Sequence, residues 1–173
     1  ADLLLDQNFF GFDNLDRYLS LVGKNCIKCF GPFYALLGGE YSSFKNKKIR
    51  NSLVKKINVF LGGYDSQNLT GKILKVLTDE EFKNISVDVV QGLQSKNSDE
   101  IKMLSNQRKN ITVYDSQNSL IKLFSKADLA IGACGSTTWE RLFLDLPSFI
   151  ITIAENQREI AKCLDKENFC KLI

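Results

Sequence analysis

The run with the most capacity for chemistry is Gly132-Ala133-Cys134-Gly135-Ser136-Thr137-Thr138-Trp139-Glu140. Two glycines flank small residues, and three hydroxyls follow at once. Where a strand gives way to a helix, such a run supplies backbone N–H donors, hydroxyl donors and a positive helix end together, and a diphosphate is the natural guest. The pattern is neither GxGxxG nor a Walker loop, because no GK[ST] follows. Glu140 has two readings on spacing alone. With Thr137 it fits a capping box that reaches back to the helix start. Alternatively, its carboxylate accepts hydrogen bonds from ribose hydroxyls beside the phosphates. Trp139 is expected in the core rather than as a base-stacking platform.

Two further stretches could join that site. Gly62-Gly63-Tyr64-Asp65-Ser66-Gln67-Asn68-Leu69-Thr70 carries two glycines, which let backbone approach a ligand closely, ahead of a helix start that can hold an anion. The same residues also make an ordinary turn capped by Asp65, Ser66 or Asn68, and spacing does not separate the two. In Ala154-Glu155-Asn156-Gln157-Arg158 the amides could grip sugar hydroxyls, while Glu155 and Asn156 are also good helix-start residues.

Alternating elements must position these stretches. Leu3–Leu5, Ile57–Leu61, Val87–Val90, Ile111–Tyr114, Asp128–Ile131 and Ser148–Ile153 read as short strands. Their β-branched composition suits buried parallel strands. Helical spacing links Leu69, Ile73, Leu74, Val76 and Leu77; then Leu120, Ile121, Leu123 and Phe124; then Trp139, Leu142, Phe143 and Leu146; then Ile160, Ala161 and Leu164. This alternation predicts an α/β fold, a Rossmann-like doubly wound parallel sheet with right-handed crossovers. In such a sheet ligands bind at the carboxyl ends of the strands, where all three stretches fall. Residues 7–51 break the rhythm and read as a crossover or linker with some short structure.

Composition narrows the classes. The chain has 173 residues, 44% hydrophobic and 25% charged, which suits one domain with an attached linker. A net charge of +3 is too weak to argue for nucleic acid binding. The local cluster Lys45, Lys47, Lys48 and Arg50 reads as a solvated loop. Five cysteines at irregular spacing do not form a disulfide framework. The lone Cys26-x-x-Cys29, with no histidine in the chain, lacks the second ligand pair that zinc needs. No metal is expected; reduced thiols and a cytoplasmic location are. No apolar run is long enough to span a membrane, and no signal peptide is visible.

The order of Asp2-Leu3-Leu4-Leu5-Asp6-Gln7-Asn8, Tyr34-Ala35-Leu36-Leu37, the Gly62–Thr70 run, Gly132 to Arg141 and Ala154-Glu155-Asn156-Gln157 resembles one family over nearly the whole chain. It is the UDP-2,4-diacetamido-2,4,6-trideoxy-β-L-altropyranose hydrolase family of pseudaminic acid biosynthesis, with its spore-coat polysaccharide relatives. That family is similar to the peptidoglycan glycosyltransferase that adds N-acetylglucosamine to lipid I. The resemblance implies one half of a GT-B-type architecture of two Rossmann-like domains. Residues 1–51 would comprise the end of an N-terminal domain plus a crossover, and residues 52–173 the C-terminal UDP-binding domain. It implies a UDP-sugar as substrate, release of the free sugar and UDP, and no cofactor. Gly132, Gly135, Ser136 and Thr137 would touch the diphosphate, Glu140 would bind ribose, Gly63 and Asp65 would line the cleft, and Asn156 and Gln157 would face the sugar. The family's water-activating histidine belongs to the N-terminal domain, so the resemblance places the general base outside these residues. Gly38-Gly39-Glu40 stands where family members often carry an Arg-Pro-Glu-like run. A GT-B glycosyltransferase using a UDP-sugar donor and a non-catalytic nucleotide-sugar-binding domain are the alternatives. A nicotinamide-dependent oxidoreductase fits poorly, since the fingerprint glycines and downstream acid are out of place.

Overall fold

The computed structural model describes residues 1–12, 17–45, 48–50, 53–95 and 97–173. Two strands, β1 (Leu3–Asp6) and β2 (Ile27–Phe30), pair in parallel as a small separate sheet, with Leu3 opposite Ile27 and Asp6 opposite Phe30. A 3-10 turn (Pro32–Tyr34) and the short helix α1 (Gly39–Ser43) lead to the main unit. That unit runs β3 (Lys56–Phe60), α2 (Leu69–Leu77), β4 (Ser86–Val90), α3 (Ser98–Ser105), β5 (Ile111–Tyr114), α4 (Ile121–Phe124), β6 (Leu129–Ala133), α5 (Thr137–Phe143), β7 (Ser148–Ile151), α6 (Arg158–Lys166) and β8 (Lys171–Leu172).

All neighbours in the main sheet are parallel, in the order β5-β4-β3-β6-β7-β8. The chain starts in the middle at β3, works outward to β5, then returns across to β6 and runs out the other way. This is the doubly wound Rossmann order, and its switch point lies between β3 and β6. Val59, Val87 and Val89 are wholly buried on one face, packed with Leu74 and Leu77 of α2 and Ile101 and Leu104 of α3. The opposite face packs Val90 and Ala130 against Tyr41, Ile121, Phe124 and Leu144. A third cluster joins Phe9 to Trp139, Ile150, Ile160 and Leu164, so Trp139 is a core residue.

Three features depart from the sequence reading. Strands β2 and β8 and helix α3 were not legible. Lys28 interrupts β2, β8 is two residues long, and α3 offers only Ile101 and Leu104 to the core. Leu146, expected on the face of α5, lies beyond its end, because the chain turns at Asp145 (φ 52°) and Leu146 is buried before β7. The basic cluster is also more than a solvated loop. Lys48 pairs with Asp128 at 2.5 Å. Arg50 donates to the carbonyls of Leu144 (2.6 Å) and Ala127 (3.2 Å), past the ends of α5 and α4. Carbonyls left over at helix ends attract cations, so these side chains fasten the crossover to the main unit. Lys47 and the 51/52 boundary lie outside the described residues.

Candidate functional site

The loop after β6 is built so that its amides stay open. The Cys134 N–H completes the sheet by donating to Ile151 O (3.0 Å). The next helical bonds begin at Thr138 N to Gly135 O (2.9 Å) and Trp139 N to Ser136 O (3.1 Å). Between them the N–H groups of Gly135, Ser136 and Thr137 have no acceptor among the described residues. Ser136 occupies the N-cap position of α5 without a side-chain cap hydrogen bond, so its hydroxyl is not consumed by the helix. Gly135 and Ser136 line a cavity of about 570 Å³ together with Asn156, Gln157, Asp6, Asn8, Arg17 and Tyr18.

Gln157 joins the three sequence stretches. Its Oε1 accepts from Ile153 N at 2.9 Å, which fixes the amide and turns Nε2 toward Gly135. A Cβ on Gly135 would lie 3.9 Å from that nitrogen. Gln157 also lines a second cavity of about 300 Å³ with Tyr64, Asp65, Ser66 and Gln67. The loops after β3, β6 and β7 therefore converge at the switch point.

The residues named from sequence take different parts. Gly63 offers open space at its Cβ position, and its carbonyl accepts from Gln94 N at 3.1 Å. The conformationally demanding glycine is its neighbour Gly62, at φ 90°. Asp65 lines the smaller cavity, but its carboxylate is committed. It accepts from Leu69 N (2.9 Å) and Thr70 N (2.8 Å) and so caps α2, with Asn68 Oδ1 taking Gly71 N (3.2 Å). Asp65 thus caps α2 while lining that cavity.

Gly132 lies at the end of β6, beneath the loop. It is buried within β6, and a Cβ there would lie 2.5 Å from Arg141 Nη1 and 2.8 Å from Phe60 O. Its missing side chain makes room for a guanidinium. Thr137 is half-buried, and its Oγ1 accepts from that same Arg141 Nη1 at 3.2 Å.

Glu140 resolves against the capping box. Its Oε2 accepts a short hydrogen bond from the Tyr41 hydroxyl of α1. Tyr41 is buried, and burial followed by the Glu140 contact pushes its phenol well above the ordinary range. It therefore remains a donor across the physiological range. A carboxylate has capacity for about four hydrogen bonds, so one phenol orients Glu140 without exhausting it. Glu140 lines neither cavity and stands one turn into α5 from Thr137.

Three residues escaped the sequence reading. Tyr41 lies 99 positions from its partner, beyond any local pattern. Arg17 lines the larger cavity with its guanidinium 3.7 Å over the Phe10 ring, beside Tyr18, whose hydroxyl donates to Asp6 at 2.8 Å. Arg141, read only as part of a motif, is fully buried beneath the loop. Among the described residues no group of three or more His, Cys, Asp or Glu side chains could hold a metal ion, and the five cysteines are free. No helix among them is long and apolar enough to cross a membrane.

Fold and site geometry together define a Rossmann-like α/β unit of the type that forms one half of GT-B glycosyltransferases. No protein-family model matches the chain. It is 30% identical over 136 residues to an uncharacterised protein of Methanocaldococcus jannaschii, covering 75% of this chain and 28% of that protein. It is 23% identical over 133 residues to the spore coat polysaccharide biosynthesis protein SpsG of Bacillus subtilis, covering 76% of this chain and 39% of that protein. The chain thus spans well under half the length of either relative. Among solved structures, MurG of Acinetobacter baumannii superposes with a TM-score of 0.63 at 19% identity, over 99% of this chain and 52% of that one. The glycotransferase of kitacinnamycin gives 0.64 at 17% identity, over 99% and 41%. These likenesses establish the fold.

Proposed function

We propose that this chain is the nucleotide-binding half of an enzyme that breaks the glycosyl bond of a UDP-sugar in surface polysaccharide or nonulosonic acid biosynthesis. What carries the reading is the set of open amides at Gly135, Ser136 and Thr137, beside a cavity at the switch point of the sheet. As the glycosyl bond breaks, negative charge gathers on the diphosphate. Fixed N–H dipoles and the Ser136 and Thr137 hydroxyls stabilise that charge without reorganising, which is commonly the largest single contribution to catalysis. Asn156 and Gln157 face the sugar, with Gln157 held in place by the Ile153 amide. Glu140, oriented by Tyr41, takes the ribose hydroxyls. UDP as the nucleotide, and a histidine outside this chain as the base that activates water, follow from the family resemblance.

Hydrolysis to free sugar and UDP is the first form of this proposal. Transfer to an acceptor is the second, in keeping with the fold this chain shares with a solved glycotransferase. Both forms use the same nucleotide half, since fold alone does not select chemistry. A turnover assay of the complete protein separates them. A hydrolase releases UDP from a UDP-linked diacetamido sugar in water alone, whereas a transferase releases it only when an acceptor is added. Absence of turnover on every UDP-sugar, with UDP still bound, would mark a binding domain.

A further inference from the structure

The guanidinium of Arg141 is fully buried, and a buried cation costs several kcal/mol unless opposite charge compensates it. Its hydrogen bonds among the described residues run to two hydroxyls and a carbonyl: Thr137 Oγ1 (3.2 Å), Thr138 Oγ1 (3.1 Å) and Ala133 O (3.0 Å). Its Nε has no partner there. The thiols beside it add no negative charge at neutral pH. Burial pushes Cys134 upward, and burial pushes Cys170 up to about 11. Gly132, whose Cβ would lie 2.5 Å from the Nη1 atom, keeps the space for this cation.

We infer that Arg141 is a positioning residue for a diphosphate, holding a fixed positive charge under the loop after β6 and setting the Thr137 hydroxyl as a donor toward the ligand. This rests on the nucleotide-binding reading above. The hydroxyl argument follows from donor bookkeeping. Arginine donates and never accepts, so Nη1 occupies a lone pair of Thr137 Oγ1 and leaves the hydroxyl's own proton to point elsewhere. Thr138 differs, because its hydroxyl already donates to Ala133 O at 3.4 Å. Among the described carboxylates Glu140 attracts the guanidinium through space; a bound diphosphate adds further opposite charge, and the benefit grows with each phosphate.

Calorimetry with uridine, UMP and UDP on the wild-type chain, Arg141→Met, Arg141→Lys and Thr137→Val tests this. Methionine removes the charge while keeping much of the volume, and Glu140, which loses a nearby cation, keeps its hydrogen bond from Tyr41. Uridine affinity is expected to be unchanged throughout. UDP affinity should fall about ten- to hundred-fold in Arg141→Met, on the scale of a lost charged hydrogen bond, with a smaller loss for UMP and partial recovery in Arg141→Lys. Thr137→Val should weaken UDP selectively as well. Should Arg141→Met fail to fold by circular dichroism, Thr137→Val alone decides. Equal loss of uridine and UDP, or unchanged UDP binding in Thr137→Val, overturns the inference. A wild-type chain that binds no UDP would sink the underlying site reading instead.

Discussion

Glu140 illustrates how one carboxylate acquires a role from a distant partner. The Tyr41 hydroxyl fixes Oε2, and the phenol stays protonated because burial and Glu140 both raise its pKa. Glu140→Ala is expected to weaken UDP binding by about 1–3 kcal/mol through loss of buried hydrogen bonds. Tyr41→Phe should cost less, about 0.5–1.5 kcal/mol, since only the orienting bond is removed. Calorimetry on the folded variants checks both values. Unchanged affinity in Glu140→Ala would take that residue out of the site.

At the scale of elements, β6 is the piece on which the site depends. Its last turn must be thin enough for Arg141 to pass beneath it. Gly132→Ala places a methyl against a guanidinium and a backbone oxygen. Overpacking of this kind costs about 1–3 kcal/mol, and thermal unfolding should register it. Gly135→Ala should be milder for stability, because the added methyl meets only Gln157 Nε2 at 3.9 Å.

The start of β6 is held by Asp128, which accepts from Lys55 N (3.0 Å) and Lys56 N (2.9 Å) and pairs with Lys48. Burial opposes its ionisation, but the Lys48 ammonium and the two amides hold its pKa below the usual range. A carboxyl with a depressed folded pKa contributes stability above its unfolded value, about 3.9. That contribution is lost as pH falls through the folded value. Asp128→Asn should therefore destabilise at neutral pH, with the deficit shrinking as acid protonates the wild-type carboxylate. Denaturant titrations from neutral to acid pH measure this, and a deficit that grows in acid would contradict it.

The whole molecule brings an N-terminal segment onto the main unit. Asp6, Asn8, Arg17 and Tyr18 share a cavity with Ser136 and Gln157, and Phe9 packs into the cluster containing Trp139. The larger cavity is thus assembled from both parts of the chain. Replacing Arg17 by Gln is expected to weaken a charged ligand there by about 1.5–3 kcal/mol if the guanidinium touches it. Titration of UDP against uridine distinguishes that contact from a stacking role over Phe10.

How much was legible divides along the range of the interactions. Five of the six strands carry their signal locally, in apolar runs of four to six residues rich in β-branched side chains. The parallel Rossmann-like class and the three loops at strand ends could therefore be read directly. Local spacing also exposed the amide-rich run from Gly132 to Thr138 and the pair Asn156 and Gln157. The part each residue takes could not be read that way, because burial and pairing depend on elements far apart in sequence. Asp65 closes a helix, Gly132 yields space to Arg141, Glu140 meets Tyr41, and Gln157 bridges two cavities only once the sheet has wound in both directions from β3. Sequence determined which groups were available at the carboxyl edge; the tertiary structure decided which of them face the cavity and which are consumed in holding it open.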